Sequence, residues 1–470
     1  MSSTEPLAFP QIDAAIARSR AAIDVIADYS QDQIDAIVKA LAWAIYRDDH
    51  ATALAEMAVA DTGLGNVPDK VIKNKRKTFG TLCDLMAVQT VGMVDSDPAR
   101  GLYTYYKPVG IVGSLTPSTN PAATPANQAL MAVKGGNAII ISPSPAALRT
   151  ANHLKGYFDS ALAEIGAPTD LFQVMEGPIS FDKAAYLAEQ VDLVLVTGDQ
   201  TNVRRGYKSG TPCLGVGKGN VPVIVDDSAD IAATAKMITA SKTFDNATSC
   251  SSENTVVVLE SVYDATITAL EAEGGYLASP AEVIQIENAL FVNGSVNRHA
   301  VGKDMTALAA LFGLGDRLAG KKFIIAPQTN VGPDAPLSGE KLSLVLAAYR
   351  SPDLDSAIAQ CHAVLNYEGI GHSVGIHTTN DAHAHKLAAV TKVARVLVNQ
   401  AHTFGNGGGV NNGLPFTLTM GCGTWAGNAI SDNLSIANFV NKTVLVKTFD
   451  KQILAKSDMF GAHYDPVLDG

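Results

Sequence analysis

Cys250 stands in a small polar stretch, TFDNATSCSSEN (243–254), where a thiolate could attack an electrophilic carbon and carry the product as a covalent intermediate. A run at helical spacing, DIAATAKMITASKTF (230–244), precedes it, and a β-branched run, TVVVLE (255–260), follows. Polar loops between regular elements often carry nucleophiles. Local pattern alone also fits a small packed thiol, the commoner fate of a free cysteine, so its surroundings must decide.

Other residues with chemical potential are scattered. The five cysteines, Cys83, Cys213, Cys250, Cys361 and Cys422, are odd in number and form no CxxC pair, which points to a reducing compartment. No metal is expected, because His372 and His377, or His383 and His385, lack cysteine partners at finger spacing; these histidines read as surface or loop residues. Lys70, Lys73, Lys75, Arg76 and Lys77 cluster in KVIKNKRKTFGTLCDLM, either as a solvated helix face or as a cationic rim for a phosphate- or sulfonate-bearing ligand. Thr197 and Gly198, in TGDQ, end an apolar strand pattern and open a helical one. Free N–H groups there suit a phosphate, and a plain turn fits equally well.

The elements that must position these residues read as α/β. From Ile12 to about Val94 apolar residues recur at helical spacing, with Gly63 and Gly65 as a stop. A strand pair is expected in GLYTYYKPVGIVG (101–113). Helix 123–134 and strand AIIIS follow, then helix 147–166, strand 171–175, helix 181–189, strand 191–198, helix 200–209 and strand 221–226. Strands alternating with helices at this spacing predict a doubly wound parallel sheet with ligands at the strand C-terminal ends. GVGKGN (215–220) precedes a strand, so the usual dinucleotide fingerprint is missing. A second α/β half runs beyond 228. It includes strands 321–326, 373–379 and 395–399, and the Gly-rich loop FGNGGGVNNGLP (404–415), which is either a disordered tip or a binding loop. The closing strand, VNKTVLVKTF (440–449), is a candidate for pairing with another subunit.

Bulk properties set the limits. At 470 residues, 47% hydrophobic and 17% charged, the chain is long and apolar enough for two or three domains with large cores. A net charge of −11 argues against nucleic acid as the main partner. The N-terminus does not read as a signal peptide, and no run reaches membrane-spanning length, so a cytoplasmic protein without a membrane partner is expected.

TPSTNP (116–121), SPSP (142–145), VTG (196–198) and the Cys250 segment, in this order, resemble the CoA-acylating branch of the aldehyde dehydrogenase superfamily, as do EKLS (340–343) and GCGTWAGN (421–428). The resemblance implies two doubly wound α/β lobes with a small β oligomerisation element. Residues 1–227 would form the cofactor-binding domain with a strand excursion near 97–108, residues 228–430 the catalytic domain, and 431–470 an oligomerisation strand and tail.

It also implies that Cys250 attacks an aldehyde, that Asn120 is an oxyanion donor and that His372, in GIGHS, supports the acyl or CoA site. Thr116, Pro117, Ser142, Pro143, Ser144, Thr197, Gly198, Gly215 and Glu340 would hold the cofactor. Hydrolytic members carry a Glu-Leu-Gly-Gly-Lys segment whose glutamate activates water. Here the run reads CLGVGKGN (213–220), with Cys213 about where that glutamate would stand, which favours transfer to the thiol of coenzyme A. Ser142-Pro143-Ser144-Pro145 lacks the acidic residue of NAD-preferring relatives, so NADP or NAD is admitted, with Arg204 and Arg205 as possible phosphate ligands.

Within the branch, TPSTNPAATP with IIISPSP is most similar to members acting on sulfoacetaldehyde. Acetaldehyde, propionaldehyde and succinate semialdehyde are alternatives. His402, Thr403 and the Gly-rich loop are candidates for a sulfonate pocket, and Lys70, Lys73, Lys75 and Arg76 for CoA phosphates. A homodimer or homotetramer is expected. A hydrolytic enzyme with a displaced base, or an inactive scaffold, would be the competing reading.

Overall fold

The Ala-rich N-terminal runs form four helices, α1 (Pro10–Ile26), α2 (Gln31–Tyr46), α3 (Asp48–Thr62) and α4 (Val67–Met86), in a computed structural model that describes residues 8–198 and 200–469. Ser30 and Gln33 cap the start of α2 reciprocally, and Gly63, at φ 65°, ends α3 in the left-handed conformation a glycine adopts freely. The helical layer stops at Met86, earlier than its periodicity suggests, and β1 (Met93–Asp97) follows.

Strand β2 (Leu102–Pro108) does not pair with β3 (Ile111–Thr116), although both lie in the stretch expected to form a strand pair. Pro108 and Gly110 break the run, Gly110 at φ 117°, and send the two strands to different sheets. Next come α5 (Ala123–Lys134), β4 (Ala138–Pro143), α6 (Leu148–Glu164), β5 (Phe172–Val174), α7 (Phe181–Gln190), β6 (Leu193–Thr197), α8 (Gln200–Lys208) and β7 (Cys213–Val216). They build a parallel five-stranded sheet of order β5-β4-β3-β6-β7. Every residue of β4 and of α5 is buried, as expected for a parallel sheet covered on both faces.

The chain changes sheet at 217–220. Strand β8 (Val221–Val225), expected with the first lobe, belongs to the second. After it come α9 (Ile231–Thr243), β9 (Glu253–Leu259), β10 (Gly275–Leu277), a short hairpin of β11 (Phe291–Val292) and β12 (Ser295–Val296), β13 (Phe323–Pro327), β14 (Val345–Ser351), β15 (Gly371–His377) and β16 (Val393–Val398). The parallel seven-stranded order is β10-β13-β14-β9-β8-β15-β16. Strand β2 pairs antiparallel with β1 on one side and with β17 (Val440–Val446) on the other, and the outer edge of β17 has no strand partner among the described residues. No helix of the described residues is long and apolar enough to cross a membrane.

The Gly-rich loop is packed over its first half. Lys77 Nζ donates to the Gly407 carbonyl at 2.5 Å, and Arg76 donates to the carbonyls of Phe404 (2.6 Å) and Gly408 (3.2 Å). Gly408 lies at φ 83°, and a Cβ there would sit 2.6 Å from Phe416 backbone atoms. The basic helix face is therefore not solvated: Lys70, Lys73 and Lys77 are buried, and Lys75 pairs with Asp48 at the surface.

Candidate active site

Strand order in the first sheet reverses between β3 and β6, and ligands of such sheets bind at the carboxyl ends beside that reversal. There a cavity of about 740 Å³ opens between the two lobes. Thr116, Pro117 and Asn120 reach it from the end of β3, Ser142, Pro143 and Ser144 from the end of β4, and Thr197 and Gly198 from the end of β6. Cys250 and Glu340 line it from the other side. Asp199 of TGDQ lies outside the described residues.

Cys250 follows an unusual turn. Asp245, Asn246 and Ala247 have φ of 51°, 52° and 59°, a left-handed run without glycine. Such residues cost on the order of 1–3 kcal/mol each and persist where their surroundings over-determine them. Here the buried Asp245 carboxylate accepts from the Asn66 N–H (3.0 Å), the Thr248 hydroxyl (2.7 Å), Lys70 (3.0 Å) and Lys73 (2.5 Å), while its own N–H donates to Asp69 Oδ2 (2.7 Å). The turn is thus held from α4. Cys250 is partly exposed on the cavity wall yet surrounded by protein, and burial, then the charge of Glu340, push its thiol up to about 12. The resting group at neutral pH is the thiol.

Glu340 is buried, which pushes its carboxyl up to about 7; its Oε1 accepts the Gly219 N–H at 3.1 Å. Glu368, the other carboxylate on the wall among the described residues, pairs with Lys218 at 2.9 Å. Asn120 accepts from Lys73 Nζ at 2.8 Å through Oδ1. Two wall hydroxyls, Thr116 Oγ1 and Ser144 Oγ, are buried without a partner. Unpaired buried donors and acceptors are costly, so their presence at strand ends fits a polar ligand such as a dinucleotide.

Several expected residues sit elsewhere. Gly215 is not on the wall: a Cβ there would meet Val203 at 2.8 Å and Tyr207 at 3.1 Å, so the glycine packs β7 against α8. Cys213 is also off the wall, buried on β7, its thiol pushed up to about 12 by burial. His402 and Thr403 are buried and face Glu253 and Ser241 through their backbone N–H groups, so they do not form a sulfonate wall. Lys70 and Lys73 are committed to Asp245, and Arg76 to loop carbonyls, so none of the three offers a free cation to CoA phosphates. Arg205 stacks 4.1 Å over the ring of Phe181, which lines the cavity.

His372 and His377 are core residues of β15, correcting their reading as surface histidines. Amphipathic alternation fails there because the strand is central and buried on both faces. His372 Nδ1 lies 2.7 Å from Ser373 Oγ, its Nε2 has no partner, and burial followed by Arg395 holds its pKa well below the usual range. It touches the Cys250 region through Gly219. A Cβ on Gly219 would lie 2.2 Å from the Cys250 carbonyl oxygen and 3.0 Å from His372 Cε1. Asp226, Asp227 and His383 approach one another, but Asp226 is already held by Ser228, Thr378 and His383.

Asp245, Gly219 and Arg395 escape a sequence reading, as does the buried contact of Lys73 with Asn120 and Asp245. Arg395 donates to the carbonyls of His372 (2.9 Å) and Gly421 (2.7 Å), bracing β15 against the GCGTWAGN loop. For the lysines a signal exists: positions 70, 73 and 77 recur at the spacing of one helix face, the period that marks a packed side.

The aldehyde dehydrogenase family model matches residues 7–277. The chain is 44% identical to a sulfoacetaldehyde dehydrogenase (acylating) of Cupriavidus necator over 457 residues, 97% of this chain and 93% of that protein. It superposes on an acetylating aldehyde dehydrogenase from Geobacillus thermoglucosidasius with a TM-score of 0.91 and 33% identity, covering 95% of this chain and 98% of the other. A propionaldehyde dehydrogenase of Rhodopseudomonas palustris, solved with bound CoA and an acylated cysteine, gives a TM-score of 0.82 at 25% identity, covering 93% and 97% of the two chains. With this cleft between two parallel sheets, and relatives matched along nearly its whole length, the chain belongs to the aldehyde dehydrogenase family, in its acylating branch.

Proposed function

We propose that the protein oxidises a short aldehyde to its acyl-CoA through a thioester on Cys250, with NADP or NAD as oxidant. Sulfoacetaldehyde is the preferred substrate on the strength of the Cupriavidus necator relative. Acetaldehyde, propionaldehyde and succinate semialdehyde are the alternatives.

One observation carries the choice of thiol over water. The wall that holds Cys250 and Asn120 has two carboxylates among the described residues, and both are engaged, Glu340 by the Gly219 N–H and Glu368 by Lys218. Attack of the Cys250 sulfur on the aldehyde carbon, its proton released to solvent, forms a C–S bond and places negative charge on the former carbonyl oxygen, where the Asn120 Nδ2–H can meet it; collapse of that oxyanion re-forms C=O as the aldehyde C–H bond gives up its hydride. The nicotinamide supplies the hydride acceptor. The resulting thioester on Cys250 then loses its acyl group to the CoA sulfur, and Cys250 regains its proton. A water molecule, with no unengaged carboxylate on the wall among the described residues to deprotonate it, competes poorly. His372, packed against Gly219 with its Nε2 unpartnered, is assigned a supporting role near the acyl or CoA site.

Thr116, Pro117, Ser142, Pro143, Ser144, Thr197 and Gly198 fit the cofactor, and Glu340 its nicotinamide ribose. The chemistry needs no metal. The open edge of β17 supports a homodimer or homotetramer, and the unpaired cysteines a cytoplasmic setting. The competing hydrolytic reading would use Glu340, with its pKa of about 7, as base. A matrix of these aldehydes against NAD+ and NADP+, each with and without CoA, separates the readings: CoA-dependent turnover is expected, greatest with sulfoacetaldehyde.

A further inference from the structure

Asn120 does not set its own orientation. An amide side chain has an acceptor end and a donor end, and a lysine ammonium can only donate. Lys73 Nζ, 2.8 Å away, therefore fixes the end facing it as Oδ1. The donor end, Nδ2, makes one long approach of 3.5 Å to Thr119 Oγ1 and keeps its hydrogens for a ligand in the cavity that Asn120 lines.

Lys73 is itself clamped. It is buried, and Asp245 Oδ2 lies 2.5 Å from its Nζ. The same carboxylate takes Lys70 and the Thr248 hydroxyl, and it sits on the turn that leads into Cys250. Packing two buried ammonium groups against one buried carboxylate is a poor arrangement for stability alone, because desolvation and mutual repulsion oppose it. A cation on the amide oxygen also polarises the amide, which makes its N–H a stronger donor in a low-dielectric site.

We propose that Lys73 is a positioning residue that locks and polarises the Asn120 amide toward the aldehyde oxygen, and that Asp245 ties this lock to the turn bearing Cys250. The inference rests on Asn120 acting as the oxyanion donor. Through Asp245, the donor and the nucleophile share one anchor, so neither moves without the other.

The test is a double-substitution cycle on the full-length enzyme. Steady-state CoA-dependent kinetics are measured for Asn120→Ala, Lys73→Met and the two combined, with thermal melting of each. Asn120→Ala is expected to lower kcat by about 10²- to 10³-fold, as loss of one oxyanion donor does. Lys73→Met should lower kcat by about tenfold or more while KM for the aldehyde changes little, because an interaction realised in the transition state is lost. The combined variant should be no slower than Asn120→Ala alone, since the lysine acts through the amide. A structural lysine would instead multiply the two losses, which would overturn the inference, as would wild-type kcat in Lys73→Met. If Asn120→Ala keeps its kcat, the oxyanion assignment fails and the inference with it; if Asn120→Ala is impaired and Lys73→Met is not, the inference alone falls. Should Lys73→Met not fold, Lys73→Gln, neutral but able to donate, runs the same cycle with a smaller expected loss and the same non-additivity.

Discussion

Glu340 reaches the Gly219 backbone N–H with its Oε1 at 3.1 Å, at the point where the chain passes from the five-stranded sheet to the seven-stranded one. The bond pins the crossing segment against the Cys250 carbonyl. No space remains for a side chain, since a Cβ on Gly219 would fall 2.2 Å from that oxygen. Gly219→Ala must therefore displace the backbone of Cys250. We expect kcat to fall by about tenfold or more, the sensitivity of a reacting pair to a displacement of an ångström or less, with a folded circular dichroism spectrum retained. Wild-type kcat in this variant would show that the crossing does not position the nucleophile.

Glu340 also acts on the thiol through charge. Burial is the first cause of the raised Cys250 pKa and Glu340 the second. Because Glu340 itself titrates near 7, its charge opposes the thiolate above that pH. Glu340→Gln should speed alkylation of Cys250 by iodoacetamide above pH 7, by about threefold or more if the thiol falls by half a unit or more, and make little difference below pH 6. Stability follows the same carboxyl. A folded-state pKa raised from 4.5 to about 7 gives stability that is present below 4.5 and lost as pH rises through 7. Melting temperatures of wild type and Glu340→Gln should accordingly converge or cross in the variant's favour between pH 4.5 and 7. Parallel curves would contradict the assignment.

Thr116 gives a cleaner view of the cofactor site. Its Oγ1 is buried without a partner, so Thr116→Val removes a desolvated hydroxyl at nearly constant volume. The free protein should melt at the same temperature or slightly higher, while the stabilisation conferred by added NADPH shrinks. Thermal shifts with and without NADPH read both effects, and an unchanged NADPH shift would place the hydroxyl outside the cofactor contact.

Gly80 tests the packing of α4 rather than the chemistry. Replacing an interior helical glycine by alanine normally stabilises by roughly 0.5–1 kcal/mol. Here a Cβ would lie 2.2 to 2.4 Å from ring carbons of Phe416. Gly80→Ala should instead lose about 1–3 kcal/mol through overpacking, seen as a lower midpoint in urea, and a gain would mean that Phe416 yields freely.

What the sequence discloses is uneven, for physical reasons. Alternating strands and helices from 123 to 209 are legible because parallel strands are continuous apolar runs between helical periods. The motif ends, Thr116 to Asn120, Ser142 to Ser144 and Thr197, meet in one cavity because carboxyl ends of parallel strands converge at a strand-order reversal. The separation of β2 from β3 and the transfer of β8 to the second sheet are tertiary choices, with no local period to announce them. Buried ions are hardest to read. Lys70, Lys73 and Lys77 look like a wet face because lysine is rarely buried, and their partners, Asp245 for the first two and the Gly407 carbonyl for Lys77, lie far away in sequence. Gly215 and His402 show the converse, residues of apt type whose strand or loop turns them away from the cavity.

The most direct test of thioester transfer to a thiol is the stoichiometry of reduced cofactor formed when enzyme, NADP+ and sulfoacetaldehyde are mixed without CoA. We predict a burst of at most about one equivalent per Cys250, the kinetic mark of a stalled covalent intermediate, followed by steady turnover to acyl-CoA once CoA is added. Continued formation of reduced cofactor and free acid at full rate without CoA would contradict the account.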